Sequence, residues 1–320
     1  MNKLSDDSKK SMIARILTAF VLSAIGLPLL VLGNWYTFGI ILVLALISIY
    51  EMVKAPGKKR YPLFLIGIIY IFVLSFIYWQ FLKDESIRNQ IFNNQYFTLT
   101  TLNLSTIGIL TLFLILFFIS IINKRVTLSD VCYLFTMSVF IGFGVYASYF
   151  LRYFPANMQY WGNDYASCIL FFYVMIGTYM SDIGAYFIGV LFGKHRMNPR
   201  ISPKKSWEGF FGGWIISIAF SISFAAIMEY CFDLPLIPDV ICFSGTNWKW
   251  IVLLSVIMPL AANLGDFLFS SIKRNFVIKD FGTIFPGHGG VLDRCDSLIT
   301  TNIIIAILVL LISNDWNFLM

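Results

Sequence analysis

Asp266, Ser270, Lys273 and Arg274 open a polar stretch in an otherwise greasy chain. It continues through Lys279-Asp280 to Pro286-Gly287-His288-Gly289-Gly290-Val291-Leu292-Asp293-Arg294-Cys295-Asp296. Asp266, Asp293 and Asp296 offer hard carboxylate oxygens. Mg²⁺ takes such ligands one or two at a time and fills its shell with water and phosphate oxygens. Lys273, Arg274, Lys279 and Arg294 can neutralise phosphate charge. The glycines around His288 let backbone approach a ligand, and successive N–H groups there can cradle an anion. His288 could donate to a phosphate or carry a proton. Together these types suit Mg²⁺ and phosphate chemistry.

Each of these residues has a plainer reading. Asn263, Asp266, Ser270 and Lys273 recur at helical spacing and would share one helix face. Asp266 would lie roughly 10 Å inside a span, where a carboxylate is costly unless paired; a structural ion pair would also explain it. Asp293 and Asp296 just precede an apolar run, so helix capping competes with metal binding. Any zinc site is disfavoured, since His195 and His288 are the only histidines and no cysteine pair helps.

A second polar cluster is Ser181-Asp182-Ile183-Gly184-Ala185-Tyr186, then Gly193-Lys194-His195, then Ile201-Ser202-Pro203-Lys204-Lys205-Ser206-Trp207-Glu208-Gly209. Lys204 and Lys205 can bind phosphates. Ser206 could cap a following helix, and Trp207 could be an interfacial anchor. Asp182 is the most deeply placed acid and would need a partner or a function. Gly184, Gly189 and Gly193 would let helices pack closely.

The elements that position these residues are membrane spans. Of 320 residues, 58% are hydrophobic and 12% charged, with mean hydropathy +0.79. Soluble domains carry about 25% charged residues. Nine apolar runs approach the length a span needs, at about 13–33, 35–53, 61–82, 104–122, 130–151, 165–193, 209–230, 249–272 and 297–314. The fold class expected is therefore all-α, a polytopic bundle. The N-terminal lysines and first apolar run resemble a signal peptide, but further spans follow at once, so a retained first helix is expected. With the N-terminus cytoplasmic, 19 cations fall on the cytoplasmic side and 4 on the other, a positive-inside distribution. That orientation puts the C-terminus outside and both polar clusters on the cytoplasmic side. A boundary near residue 160 separates a scaffold part, 1–160, from a part carrying the chemistry, 161–320. The net charge of +6 follows from topology and needs no nucleic acid. Cys231 and Cys242 could pair across one loop, though no CxxC spacing exists.

The run Ser271 to Asp296, with its Lys-Arg, Lys-Asp, Pro-x-His-Gly-Gly and Asp-Arg-x-Asp segments, resembles the signature of the phosphatidate cytidylyltransferases. The Ser-Asp-x-Gly-Ala-Tyr and Ser-Pro-Lys-Lys-Ser-x-Glu-Gly segments resemble that family too. Cys295 departs from it, standing where an aliphatic residue or threonine is usual. The resemblance implies transfer of the cytidylyl group of CTP to phosphatidate, giving CDP-diacylglycerol and pyrophosphate. It implies catalytic roles for Asp266, Lys273, Arg274, His288, Asp293 and Asp296, with Mg²⁺ on Asp266, Asp293 and Asp296. Substrate contacts would come from Asp182, Lys204, Lys205, Ser206, Glu208, Ser270, Lys279, Gly289, Gly290 and Arg294. A second, monovalent cation such as K⁺ is left open, with Asp182 and Glu208 either supporting it or positioning the lysines. The partners expected are CTP, phosphatidate and membrane lipids, without nucleic acid; a homodimer is open. The expected location is a bacterial cytoplasmic membrane. The alternatives are a CTP-dependent polyprenol or lipid kinase and a secondary transporter. A transporter would need polar groups reachable from both sides, and both clusters face one side.

Overall fold

A computed structural model of the chain describes residues 21, 23–57, 61–81, 100–157, 167–284 and 289–313. The described residues are mainly helical. In order they form α1 (Ser23–Leu32), α2 (Asn34–Lys54), α3 (Leu63–Phe81), α4 (Thr100–Ile122), α5 (Leu128–Asn157) and α6 (Cys168–Phe192). A two-stranded sheet of β1 (Arg196–Asn198) and β2 (Ser202–Ser206) follows, then α7 (Trp207–Phe232), α8 (Trp248–Asn275) and α9 (Leu292–Ser313). Six of these helices, α2 and α5 to α9, are long and apolar enough to cross a membrane; shorter apolar segments lie in α1, α3 and α4. The first of the nine expected runs lies partly outside the described residues, as do Lys9, Lys10, Arg15, Lys58 to Arg60, Lys83 and Pro286 to His288.

Packing defines two units, Ile41–Tyr146 and the remainder. The boundary near residue 160 marks where polar chemistry begins and is a different division. In the first unit the Asp130 carboxylate ties three groups together. It accepts the Thr127 N–H at 2.8 Å, the Thr127 hydroxyl at 2.7 Å and the Tyr61 hydroxyl at 3.2 Å. A Cβ on Gly142 would sit 2.8 Å from the Phe76 ring, so that ring lies flat against bare backbone.

In the other unit, α6 lies against α7 and α8 against α9. The first contact is made of small residues. A Cβ on Gly213 would lie 2.4 Å from the Ser181 carbonyl, and one on Gly209 would lie 2.7 Å from that of Ala185. Gly184 and Gly189 face the same seam. Without side chains the two backbones approach closely, as in membrane helix pairs generally. Pro259 interrupts the α8 ladder, since proline has no N–H to give. Two carbonyls in the turns before it also accept side chains: Tyr173 donates to Ile251 O at 2.8 Å and Trp214 Nε1 to Val256 O at 2.9 Å. These bonds set the rotation of α8, and hence where its polar face points.

Elsewhere in this unit, Arg152 is wholly buried. Its Nε donates to Leu30 O at 2.7 Å, Nη2 donates to Val31 O at 3.1 Å, and Nη1 meets the Ser167 hydroxyl. The first two are carbonyls at the end of α1, where no intrahelical partner exists. Gly33, at φ 73°, makes the break to α2.

Three expectations change. The 194–208 connection is a β-hairpin, held by backbone pairing of Arg196 with Ser206 and Asn198 with Ser202; a lysine- and proline-bearing strand of five residues shows no alternating pattern that would announce it. The last helix starts at Leu292, so Asp293 and Asp296 lie in its first two turns rather than ahead of it. Cys231 and Cys242 are unpaired thiols, Cys231 exposed and Cys242 buried beside the Ser244 hydroxyl at 2.9 Å.

Candidate active site

The polar face of α8 is the axis of the site. Asp266 Oδ2 lies 2.7 Å from Lys205 Nζ, and its Oδ1 accepts the Ser270 hydroxyl at 3.1 Å. Asn263, one turn earlier, accepts from the same Lys205 at 3.3 Å. One turn beyond Ser270, Lys273 Nζ sits 3.0 Å from Asp293 and 3.9 Å from Asp296. All four residues expected on this face thus meet the site. Lys273 is almost enclosed, with 11% of its side chain exposed against 2% for Asp293. Removing one member of such a pair leaves a buried charge, at a cost of about 3–5 kcal/mol.

Asp293 has a second task. Its Oδ2 accepts the backbone N–H of Phe281 at 2.8 Å and of Gly290 at 2.9 Å. It therefore closes the loop leading from α8 to α9 and does not cap α9. Gly289 in that loop has φ 86° and its Cα faces Asp293 and Asp280, so a glycine is required there. Phe281 anchors the loop by packing edge-on against Phe269, with ring centroids 6.0 Å apart. A carboxylate has about four lone-pair positions. Asp293 uses three here, one for Lys273 and two for the loop.

Asp182, from the middle of α6, joins the acids. It lies near Ser297 and within electrostatic reach of Asp266, Asp296, Lys205 and Arg294. Asp182 and Arg294 are exposed although both sit within the helical unit. Asp182 and Ser297 are brought together by the α6–α9 contact, which nothing in their local sequence announces.

The lysine Lys205 reaches α8 from the hairpin, whose base is fixed. Ser206 caps α7, accepting the Gly209 N–H at 3.2 Å, and its hydroxyl is buried. Glu208 turns back to Lys194 and His195. Arg274 Nε donates to Ile201 O at 3.2 Å and Nη1 to Ile278 O at 3.4 Å, which links the hairpin turn to the end of α8. Lys204 and Lys279 are exposed at this same end of the unit. His288 lies outside the described residues.

Counting charges, four carboxylates (Asp182, Asp266, Asp293, Asp296) meet three cations (Lys205, Lys273, Arg294). That excess of acid, and the hard oxygen donors, suit a divalent cation. Among the described residues no three His, Cys, Asp or Glu side chains converge on one point. The donors available are carboxylates in ones and twos, which is how Mg²⁺ is held when phosphate oxygens complete its shell.

Comparison with known proteins follows the same lines. The chain is 42% identical over 128 residues to a phosphatidate cytidylyltransferase of Mycobacterium bovis, covering 40% of this chain and 37% of that one. It is 32% identical over 179 residues to the Bacillus subtilis phosphatidate cytidylyltransferase, covering 56% and 58%. For the Staphylococcus epidermidis enzyme of that name the figures are 33% over 175 residues, 55% and 57%. The matched stretches thus span between about a third and three fifths of the relatives' own length. The model of the Cytidylyltransferase family, however, matches residues 13–312. A match over nearly the whole chain, which takes in α6 to α9 and every residue of the acid and lysine cluster, places this protein in the cytidylyltransferase family.

Proposed function

We propose that the protein transfers the cytidylyl group of CTP to phosphatidate, forming CDP-diacylglycerol and pyrophosphate in a bacterial cytoplasmic membrane. The observation that carries this reading is the four-acid, three-cation cluster built on α6, α8 and α9, in a chain whose family and named relatives point to that chemistry. All nine helices are taken as spans, with the N-terminus and the hairpin on the cytoplasmic side, where nucleotide triphosphates are found.

A phosphate oxygen of phosphatidate attacks the α-phosphorus of CTP. The bond from that phosphorus to the bridging oxygen breaks, and pyrophosphate leaves. The nucleophile is already ionised, so the protein's task is to bring two anions together and stabilise the charge that develops. Lys205, paired with Asp266, and Lys273, paired with Asp293, do this from the hairpin and from α8. An ammonium has three donors, so each can hold its carboxylate and a phosphate oxygen together. Arg294, Lys204 and Lys279 supply further positive charge, and Arg274 adds charge while holding the hairpin. Gly289 and Gly290 let the loop backbone approach the phosphates. Of Asp266, Asp293 and Asp296, one or two at a time would hold Mg²⁺ while phosphate oxygens complete its shell, with Asp182 close by. When bound, that ion supplies Lewis-acid neutralisation of the phosphates. Asp182 and Arg294, both exposed, would lie where the lipid headgroup enters.

The test is release of pyrophosphate by the purified full chain in detergent. It is expected to require CTP and phosphatidate together, to stop on chelation, and to return with Mg²⁺. Release without phosphatidate, or undiminished by chelation, would contradict the proposal.

A further inference from the structure

Glu208 is an acid beside a phosphate-binding lysine arm, where its charge would repel the substrate. Its contacts explain why it is there. Oε2 accepts the Lys194 N–H at 3.1 Å, and both oxygens accept the His195 N–H at 3.2 Å. Oε1 also lies 2.6 Å from His195 Nδ1. Every one of these partners belongs to the segment where the chain leaves α6 and enters the hairpin. The start of α7 closes the same knot: Trp207 N–H donates to His195 O at 2.9 Å. Gly193 fits only because it lacks a side chain, since a Cβ there would stand 2.2 Å from Gly189 O and 2.6 Å from the Ser206 hydroxyl. The carboxylate itself is at home in the first turn of α7, near the positive end of that helix.

From this root the hairpin projects its lysines. Lys205 lies three residues before Glu208 and crosses to Asp266 and Asn263 on α8. Arg196 Nη1 donates to Lys204 O at 2.8 Å, stiffening the arm between its strands.

We propose that Glu208 is a positioning residue: it touches neither phosphate nor metal, but fixes the root of the β1–β2 hairpin so that Lys205 is delivered to Asp266. Its structural half stands on the hydrogen bonds alone, while its catalytic half rests on the function proposed above. Misplacing a catalytic group by about an ångström can cost on the order of a hundredfold in rate, so a loosened root is felt at Lys205.

The experiment has two arms, both on the purified full chain in detergent. In the first, amide hydrogen exchange over residues 194–206 is measured without substrate. Glu208→Ala is expected to speed exchange there about tenfold or more, because several charge-assisted hydrogen bonds are lost together. His195→Ala, which keeps both backbone bonds, and Lys205→Met are expected to leave the root near the parental rate. In the second arm, kcat and KM for CTP are measured for Glu208→Ala, Lys205→Met and the double variant. A residue acting through Lys205 gives a double variant little worse than Lys205→Met. Glu208→Gln, which retains one acceptor oxygen, is expected to fall between parent and alanine, and it replaces alanine if that variant does not fold. Unchanged exchange overturns the proposal, as do losses that multiply in the double variant. If the parent chain itself turns over no CTP with phosphatidate, the proposed function fails, and the exchange arm still decides the role of Glu208.

Discussion

Asp293→Asn separates the two tasks of one carboxylate. Oδ1 pairs with Lys273, and Oδ2 holds the Phe281 and Gly290 amides. Asparagine can keep its carbonyl toward those two amides. Its NH₂ group then faces the Lys273 ammonium, donor against donor. The loop stays closed while the ion pair is lost, with Asp296 at 3.9 Å left as the lysine's remaining partner. Breaking this buried pair costs at most about 3–5 kcal/mol, eased by Asp296, which a fold of about 5–15 kcal/mol can bear. Turnover is expected to fall by about 10²–10³ or more, the effect of removing one preorganised charge contact. Asp293→Ala removes both tasks. Two buried N–H groups lose their acceptor, at about 1–3 kcal/mol each, in addition to the unpaired lysine. The alanine variant should therefore be clearly less stable than the asparagine one, by about 2 kcal/mol or more on this reckoning. Thermal unfolding and pyrophosphate release, measured on the same detergent samples, check both statements. An asparagine variant within about tenfold of parental turnover would refute the catalytic role. An alanine variant as stable as asparagine would refute the loop-closing role.

Three other substitutions probe different links. Lys205→Met should raise KM for CTP about tenfold or more, a loss of about 1.4 kcal/mol in binding; an unchanged KM would remove Lys205 from the phosphate site. Gly213→Ala pushes a methyl toward the Ser181 carbonyl, so α6 and α7 must part beside Asp182. Overpacking of this kind costs about 1–3 kcal/mol, and both thermal stability and turnover should drop; a silent alanine would mean the seam is looser than described. Lys249→Ala should be nearly silent in turnover, because Lys249 lies over Trp250 at the end of α8 opposite to Lys273, about 36 Å away by helix rise. A large loss there would place chemistry at the wrong end of the bundle.

What could be read in the sequence was mostly what lies along a single helix. Asn263, Asp266, Ser270 and Lys273 share a face because their spacing is helical, and the structure puts all four into one network. The glycines of α6 were legible for the same reason, being small residues at a seam. Relations between elements were hidden. Nothing local tells Lys205 that its partner is Asp266, or Asp182 that it meets Ser297. A serine in an apolar run carries no signal of its own. Asp293 reads as a metal ligand or a helix cap, and its loop-closing bonds to Phe281 and Gly290 emerge only once the loop is folded. Glu208 is a further case: its partners Lys194 and His195 lie before β1, on the far side of the hairpin, and nothing beside Glu208 in the sequence points to them.

The central claim is tested most directly by following the two ends of the nucleotide. Purified full chain is given phosphatidate, Mg²⁺ and CTP labelled at the α-phosphate in one reaction and at the γ-phosphate in another. The account predicts α-label in the lipid and γ-label in released pyrophosphate. Label from the γ-phosphate appearing in the lipid would contradict it and identify a CTP-dependent lipid kinase instead.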